Sequence, residues 1–185
     1  MQIFNSQKDV FKLVRNPYRR AISSFTVLIG GMKQYYAREA KEIKKLFYHD
    51  ENSDKGISFK QFLYYLKETG THIGAVDYHF AQQYIEGEEN LVKNYIRLEN
   101  FNHHILAFEK EYQLLPSPLA LITKSEHHLS SFMILTGDHS ETLFTEINGA
   151  LPAYQSFYDE ETKDLVKELF KKDFEMYQYK NTDLS

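Results

Sequence analysis

The stretch Val10 to Phe25, VFKLVRNPYRRAISSF, holds the densest set of groups able to act on an anion. Arg15 stands where a short β-prone run stops. Asn16 and Pro17 suit the cap and first position of a helix, and Arg19, Arg20, Ser23 and Ser24 follow. Unpaired N–H groups at a helix start favour negative charge, and a guanidinium fork binds phosphate oxygens bidentately. Arg19 and Ser23 lie four apart and share a helical face. An anion pocket is therefore expected from local chemistry; the same residues also suit a solvated basic first turn with an ordinary cap.

Asp50 to Gln61, DENSDKGISFKQ, resembles the calcium loop of an EF-hand. Asp50, Asn52 and Asp54 take loop positions one, three and five, where oxygen ligands converge on a hard cation. Lys55 stands where the sharp turn wants glycine, and Gln61 cannot give the bidentate carboxylate, so tight calcium binding is not expected and no metal site is assigned. Ser58 and Gln61 have capping-box spacing, which reads instead as a polar turn into a helix. His103-His104 and His127-His128 are adjacent pairs that do not share a helical face.

The elements that must position these groups follow from pattern. Val10 to Val14 reads as a strand, and the helix opened by Asn16 runs towards Leu28 and stops near Gly30-Gly31. Met32 to Tyr48 reads as a second, charged helix. Phe59, Phe62, Leu63 and Leu66 form a stripe behind Ser58. Asn94 to Leu98 is a second strand candidate, Asn100 a cap for a helix through Tyr112, and 136–157 is irregular. Leu165, Val166, Leu169, Phe170, Phe174 and Tyr177 fall on one face of a last amphipathic helix. Two strands among about five helices indicate an α/β chain with few strands.

The 185 residues suffice for one domain with its own core, and 14 Tyr with 14 Phe demand burial rather than disorder. A formal charge of −4 argues against nucleic-acid partners. The absence of cysteine excludes disulfides and thiolate metal sites. No apolar run is long enough to cross a bilayer, so no membrane partner and a cytoplasmic location are expected.

Val14 to Phe25 resembles the 3′-phosphate-binding motif of sulfotransferases that use 3′-phosphoadenosine 5′-phosphosulfate (PAPS), closest to the branch holding the carbohydrate sulfotransferases and their bacterial relatives. In that family the arginine ending the strand and a serine eight positions later hold the 3′-phosphate; the resemblance puts those roles on Arg15 and Ser23. Asp77 to Gln83 resembles the family's histidine-aromatic segment. It makes His79 a candidate general base for an acceptor hydroxyl, with packing beside Tyr78 and Phe80 as the rival role. Tyr95 to Asn100 resembles a later strand ending in glutamate, with Glu99 expected to orient backbone or Arg15. Phe157 to Tyr179 resembles the closing helix.

The resemblance implies a helix-rich, P-loop-NTPase-like sulfotransferase fold over residues 1–185 as one domain. It implies PAPS or adenosine 3′,5′-bisphosphate as the bound nucleotide, and a small-molecule or carbohydrate hydroxyl acceptor. The family's phosphosulfate loop should precede the arginine motif by several dozen residues, whereas 14 residues precede Arg15 and none form such a turn. The chain is therefore expected to correspond to the C-terminal portion of the fold, N-terminally incomplete, with little activity on its own. The alternatives are a non-catalytic module of the same fold that binds a nucleotide or partner, and a calcium-responsive helical protein built on Asp50 to Gln61.

Overall fold

The computed structural model describes residues 9–122, 132–147 and 149–180. Strand β1, Val10–Val14, ends at Arg15 because Pro17 fixes a helical φ and brings no N–H to the ladder. Helix α1, Pro17–Gly31, starts there, capped by the Asn16 side chain. Strand β2, Val92–Arg97, pairs with β1 in parallel, setting Lys12 against Tyr95 and Val14 against Arg97. A second parallel pair joins β3, Met133–Leu135, to β4, Leu151–Pro152.

The core is built on α1. Tyr18, Ala21, Ile22, Phe25, Leu28 and Ile29 recur at helical spacing and are all buried. Helix α3, Phe59–Thr69, opposes them with Phe59, Phe62, Leu63 and Leu66; Ser58 and Gln61 close the expected capping box at its start. The Phe25 ring meets Phe59 at 5.6 Å and Phe157 at 5.9 Å, both edge to face. On the other side of the sheet lies α4, Phe101–Glu111, whose Phe108 packs edge-on to Phe11 at 4.5 Å. Asn100 holds the capping position of α4 without a side-chain cap bond. A single turn, α5, spans Leu119–Ile122.

Two expected helices differ in the structure. Helix α2 runs Ala37–Tyr48 rather than from Met32. The Gly31 carbonyl accepts from the N–H groups of Gln34, Tyr35 and Tyr36, which winds residues 32–36 into a tight turn. The last amphipathic stripe is carried by two helices, α6, Glu160–Leu169, and α7, Lys171–Tyr177. They break at Phe170, where the Thr71 hydroxyl donates to the Leu169 carbonyl at 3.1 Å. Leu165, Val166, Phe170, Phe174 and Tyr177 are buried on both sides of the break, so the stripe survives the bend. The result is a helix-rich α/β arrangement with small parallel sheets. No helix among the described residues is long and apolar enough to cross a membrane.

Candidate anion-binding site

The corner between β1 and α1 is fixed from three distant parts of the chain. Gln83 brackets Arg15, accepting from its N–H at 2.7 Å and donating to its carbonyl at 2.8 Å. Glu99 accepts from the Asn16 N–H at 2.8 Å, so it orients backbone, and the Tyr179 hydroxyl donates to its other oxygen. Asp173 on α7 accepts from the N–H groups of Gln83 and Tyr84 at 2.9 and 2.7 Å. Burial pushes the Asp173 carboxyl up, and those two N–H groups oppose the shift. Segments far apart in sequence thus converge on two residues.

The first turn of α1 departs from expectation. Asn16 Oδ1 accepts from the N–H groups of Tyr18 and Arg19, and the Asn16 carbonyl accepts from Arg20. Pro17 has no N–H to offer. The helix start is therefore satisfied internally, and any anion held here is held by side chains.

Those side chains fall into two neighbouring stripes. Arg15, Arg19 and Ser23 are half-buried on one. Arg15 Nη2 donates to the Tyr154 hydroxyl at a long 3.4 Å, and the Arg19 guanidinium lies 5.6 Å over the Tyr154 ring. Arg19 Nε is buried with no hydrogen-bond partner among the described residues. Ser23 Oγ likewise forms no hydrogen bond among them. A buried guanidinium N–H without an acceptor is costly and fits a bound oxyanion. Tyr154, from the short 3₁₀ turn Tyr154–Phe157, was not singled out by sequence; aromatic character within AYQSFYD was its only signal.

The second stripe is occupied. Arg20 donates to the Tyr78 carbonyl at 3.1 Å and to the Ala81 carbonyl at 3.0 Å, and Ser24 Oγ donates to the His79 carbonyl at 2.6 Å. Burial pushes the Arg20 guanidinium below its ordinary value, and the Asp173 carboxylate opposes this. Residues 77–83 therefore run back along α1, from His79 beside Ser24 to Gln83 beside Arg15.

His79 is held by its ring as well as its backbone. Nδ1 lies 2.8 Å from Asp77 Oδ1 and 3.0 Å from the Tyr36 hydroxyl oxygen. A carboxylate only accepts, so Nδ1 carries the proton and Nε2 presents its lone pair. The His79 side chain is 38% exposed, enough for a substrate to reach it. Burial first, and then the Asp77 carboxylate, raise the Tyr36 phenol above its usual range. Asp77 and Tyr36 were not assigned from sequence, although an aspartate two residues before the histidine was a visible signal.

Other candidates serve the fold. Lys12 donates to Glu88 and to the Tyr177 hydroxyl behind β1. In the calcium-like loop, Asp50 Oδ1 accepts from the Asn52 N–H at 2.9 Å, and Gln61 is spent on Ser58 and Tyr48. Gly56 sits where a Cβ would lie 2.6 Å from the Phe144 carbonyl, so its glycine serves a close backbone approach. The rings of His103 and His104 lie 6.0 Å apart on α4, and no cluster of three or more metal-ligating side chains occurs among the described residues. His127 and His128 lie outside the described residues.

No curated protein and no solved structure gives a significant match to this chain. The sequence profile described as the sulfotransferase family matches residues 3–180, which takes in the anion corner, the His79 segment, β2 and both closing helices. With nearly its whole length matched, the chain belongs to the sulfotransferase family.

Proposed function

We propose that the chain binds the nucleotide of PAPS at the β1–α1 corner and serves sulfuryl transfer to a hydroxyl acceptor, a small molecule or carbohydrate. The observation that carries this reading is the buried Arg19 Nε, without a hydrogen-bond partner among the described residues, on the same stripe as Arg15 and Ser23. PAPS supplies a sulfuryl group on a phosphate leaving group. Arg15 and Ser23 hold the 3′-phosphate, with Arg19 adding a second guanidinium on the same side. Tyr154 limits where both arginines can swing. His79 Nε2 takes the proton from the acceptor hydroxyl as its oxygen bonds to sulfur and the sulfur–oxygen bond to the 5′-phosphate breaks, releasing adenosine 3′,5′-bisphosphate, and Asp77 steadies the resulting imidazolium. In this reading the chain is one domain on a P-loop-like scaffold.

Calorimetric titration of adenosine 3′,5′-bisphosphate against the wild-type chain and Arg15→Ala tests the assignment without depending on turnover. A charge-assisted contact contributes about 1.5–3 kcal/mol, so the variant should bind more than about tenfold more weakly. Equal affinities, or no binding to either protein, would remove it. Binding without labelling of any acceptor from radioactive PAPS would favour the non-catalytic module.

A further inference from the structure

A cavity of about 510 Å³ opens between the end of α1, α2 and the loop after it. Its charged lining is Lys33, Lys41, Lys44, Lys55, Glu51 and Asp54. Among the described residues Lys41, Lys44, Lys55, Glu51 and Asp54 form no ion pair, and Lys33 meets Glu146 only at 3.5 Å with both side chains exposed. Lys44 Nζ donates to the neutral Ser53 carbonyl at 2.6 Å, and Lys55 Nζ lies 5.0 Å over the Tyr48 ring. Neither contact cancels a charge. Four ammonium groups against Glu51, Asp54 and the Glu146 beside Lys33 leave a positive potential, concentrated by the concave wall.

This field bears on the calcium-like loop, which supplies Glu51, Asp54 and Lys55 to the lining. A divalent cation entering would meet four like charges. The first and last positions of the loop are already committed, Asp50 to a backbone N–H and Gln61 to the α3 cap. Lysine is a compact charge that suits phosphate and sulfate oxygens without demanding planar geometry. The volume falls within the range of small-ligand sites, roughly 300–1,000 Å³. We propose that this cavity binds a small, multiply charged oxyanion, a phosphate or sulfate ester, with Lys41 and Lys55 as its principal contacts. It shares no residue with the Arg15 corner, so the two sites stand or fall separately.

The test is calorimetry at low ionic strength with inorganic pyrophosphate in one arm and a disulfated disaccharide in the other. Wild type, Lys41→Gln/Lys55→Gln and Arg15→Ala are compared. Both lysines are exposed, and an unchanged melting temperature verifies that the double variant folds. Binding should persist in Arg15→Ala, weaken at least about tenfold in the double variant, and fall as salt is added. Whichever anion binds more tightly names the source, phosphate or sulfate. Unchanged affinity in the double variant, or loss of all binding in Arg15→Ala, would overturn the site.

Discussion

Arg19 and Arg20 are neighbours in the first turns of one helix, as are Ser23 and Ser24 one turn later, yet the two stripes lead opposite lives. Arg20 and Ser24 spend their donors on the carbonyls of Tyr78, His79 and Ala81. Among the described residues, Arg19 keeps a buried Nε without a hydrogen-bond partner and Ser23 Oγ has none. The same side-chain chemistry is structural where the chain folds back over it and available where it does not. A hundred degrees of helical rotation separates a strut from a binding group.

The occupied side should break most severely at its buried anchor. Asp173 is fully buried, accepts from two backbone N–H groups, and offsets the Arg20 charge. Asp173→Ala strands all three, and we expect a loss of about 3–5 kcal/mol in urea unfolding. An unfolding midpoint close to wild type would show that the 77–83 segment is held by packing alone.

The sharpest contrast is between adjacent arginines. Arg20→Ala should lower stability by about 2 kcal/mol while the folded fraction binds adenosine 3′,5′-bisphosphate as wild type does. Arg19→Ala should leave stability nearly unchanged, since it removes an unsatisfied buried donor, and should weaken nucleotide binding about tenfold. If both variants lose stability alike, the two stripes are one structural unit and the anion reading of Arg19 fails.

Local signals were legible and remote ones were not. The Asn16-Pro17 start of α1 and the Ser58/Gln61 box are written within four residues, where capping chemistry acts, and both are present in the structure. The break at Phe170 was invisible because Thr71, 98 residues away, captures the Leu169 carbonyl. The expected free N–H groups of α1 were misjudged for a related reason: the Asn16 that marks the helix start also consumes its donors. The family-like blocks around Gln83, Glu99 and Asp173 each carried a faint signal, but nothing in their spacing told that Gln83 would meet Arg15, that Glu99 would meet Asn16, or that Asp173 would hold Gln83 in place. Nor does sequence distinguish Arg19 from Arg20, since only tertiary packing decides which one residues 77–83 cover.

The smallest expected effect probes the wall of the open stripe. Tyr154 touches Arg15 through its hydroxyl at 3.4 Å and Arg19 through its ring at 5.6 Å. The first contact is too long to contribute much, whereas a cation over a tyrosine face contributes about 0.5–1 kcal/mol at a partly exposed site. Tyr154→Phe keeps the ring and should bind adenosine 3′,5′-bisphosphate within about twofold of wild type. Tyr154→Leu fills similar space without a π-face, and it should weaken binding about two- to fivefold by freeing Arg19 to adopt other rotamers. The effect should vanish in an Arg19→Ala background, because the ring then has no cation to steady. A Tyr154→Leu penalty that persists without Arg19 would instead mean that the ring contacts the nucleotide directly, and the open stripe would extend from α1 onto the 154–157 turn.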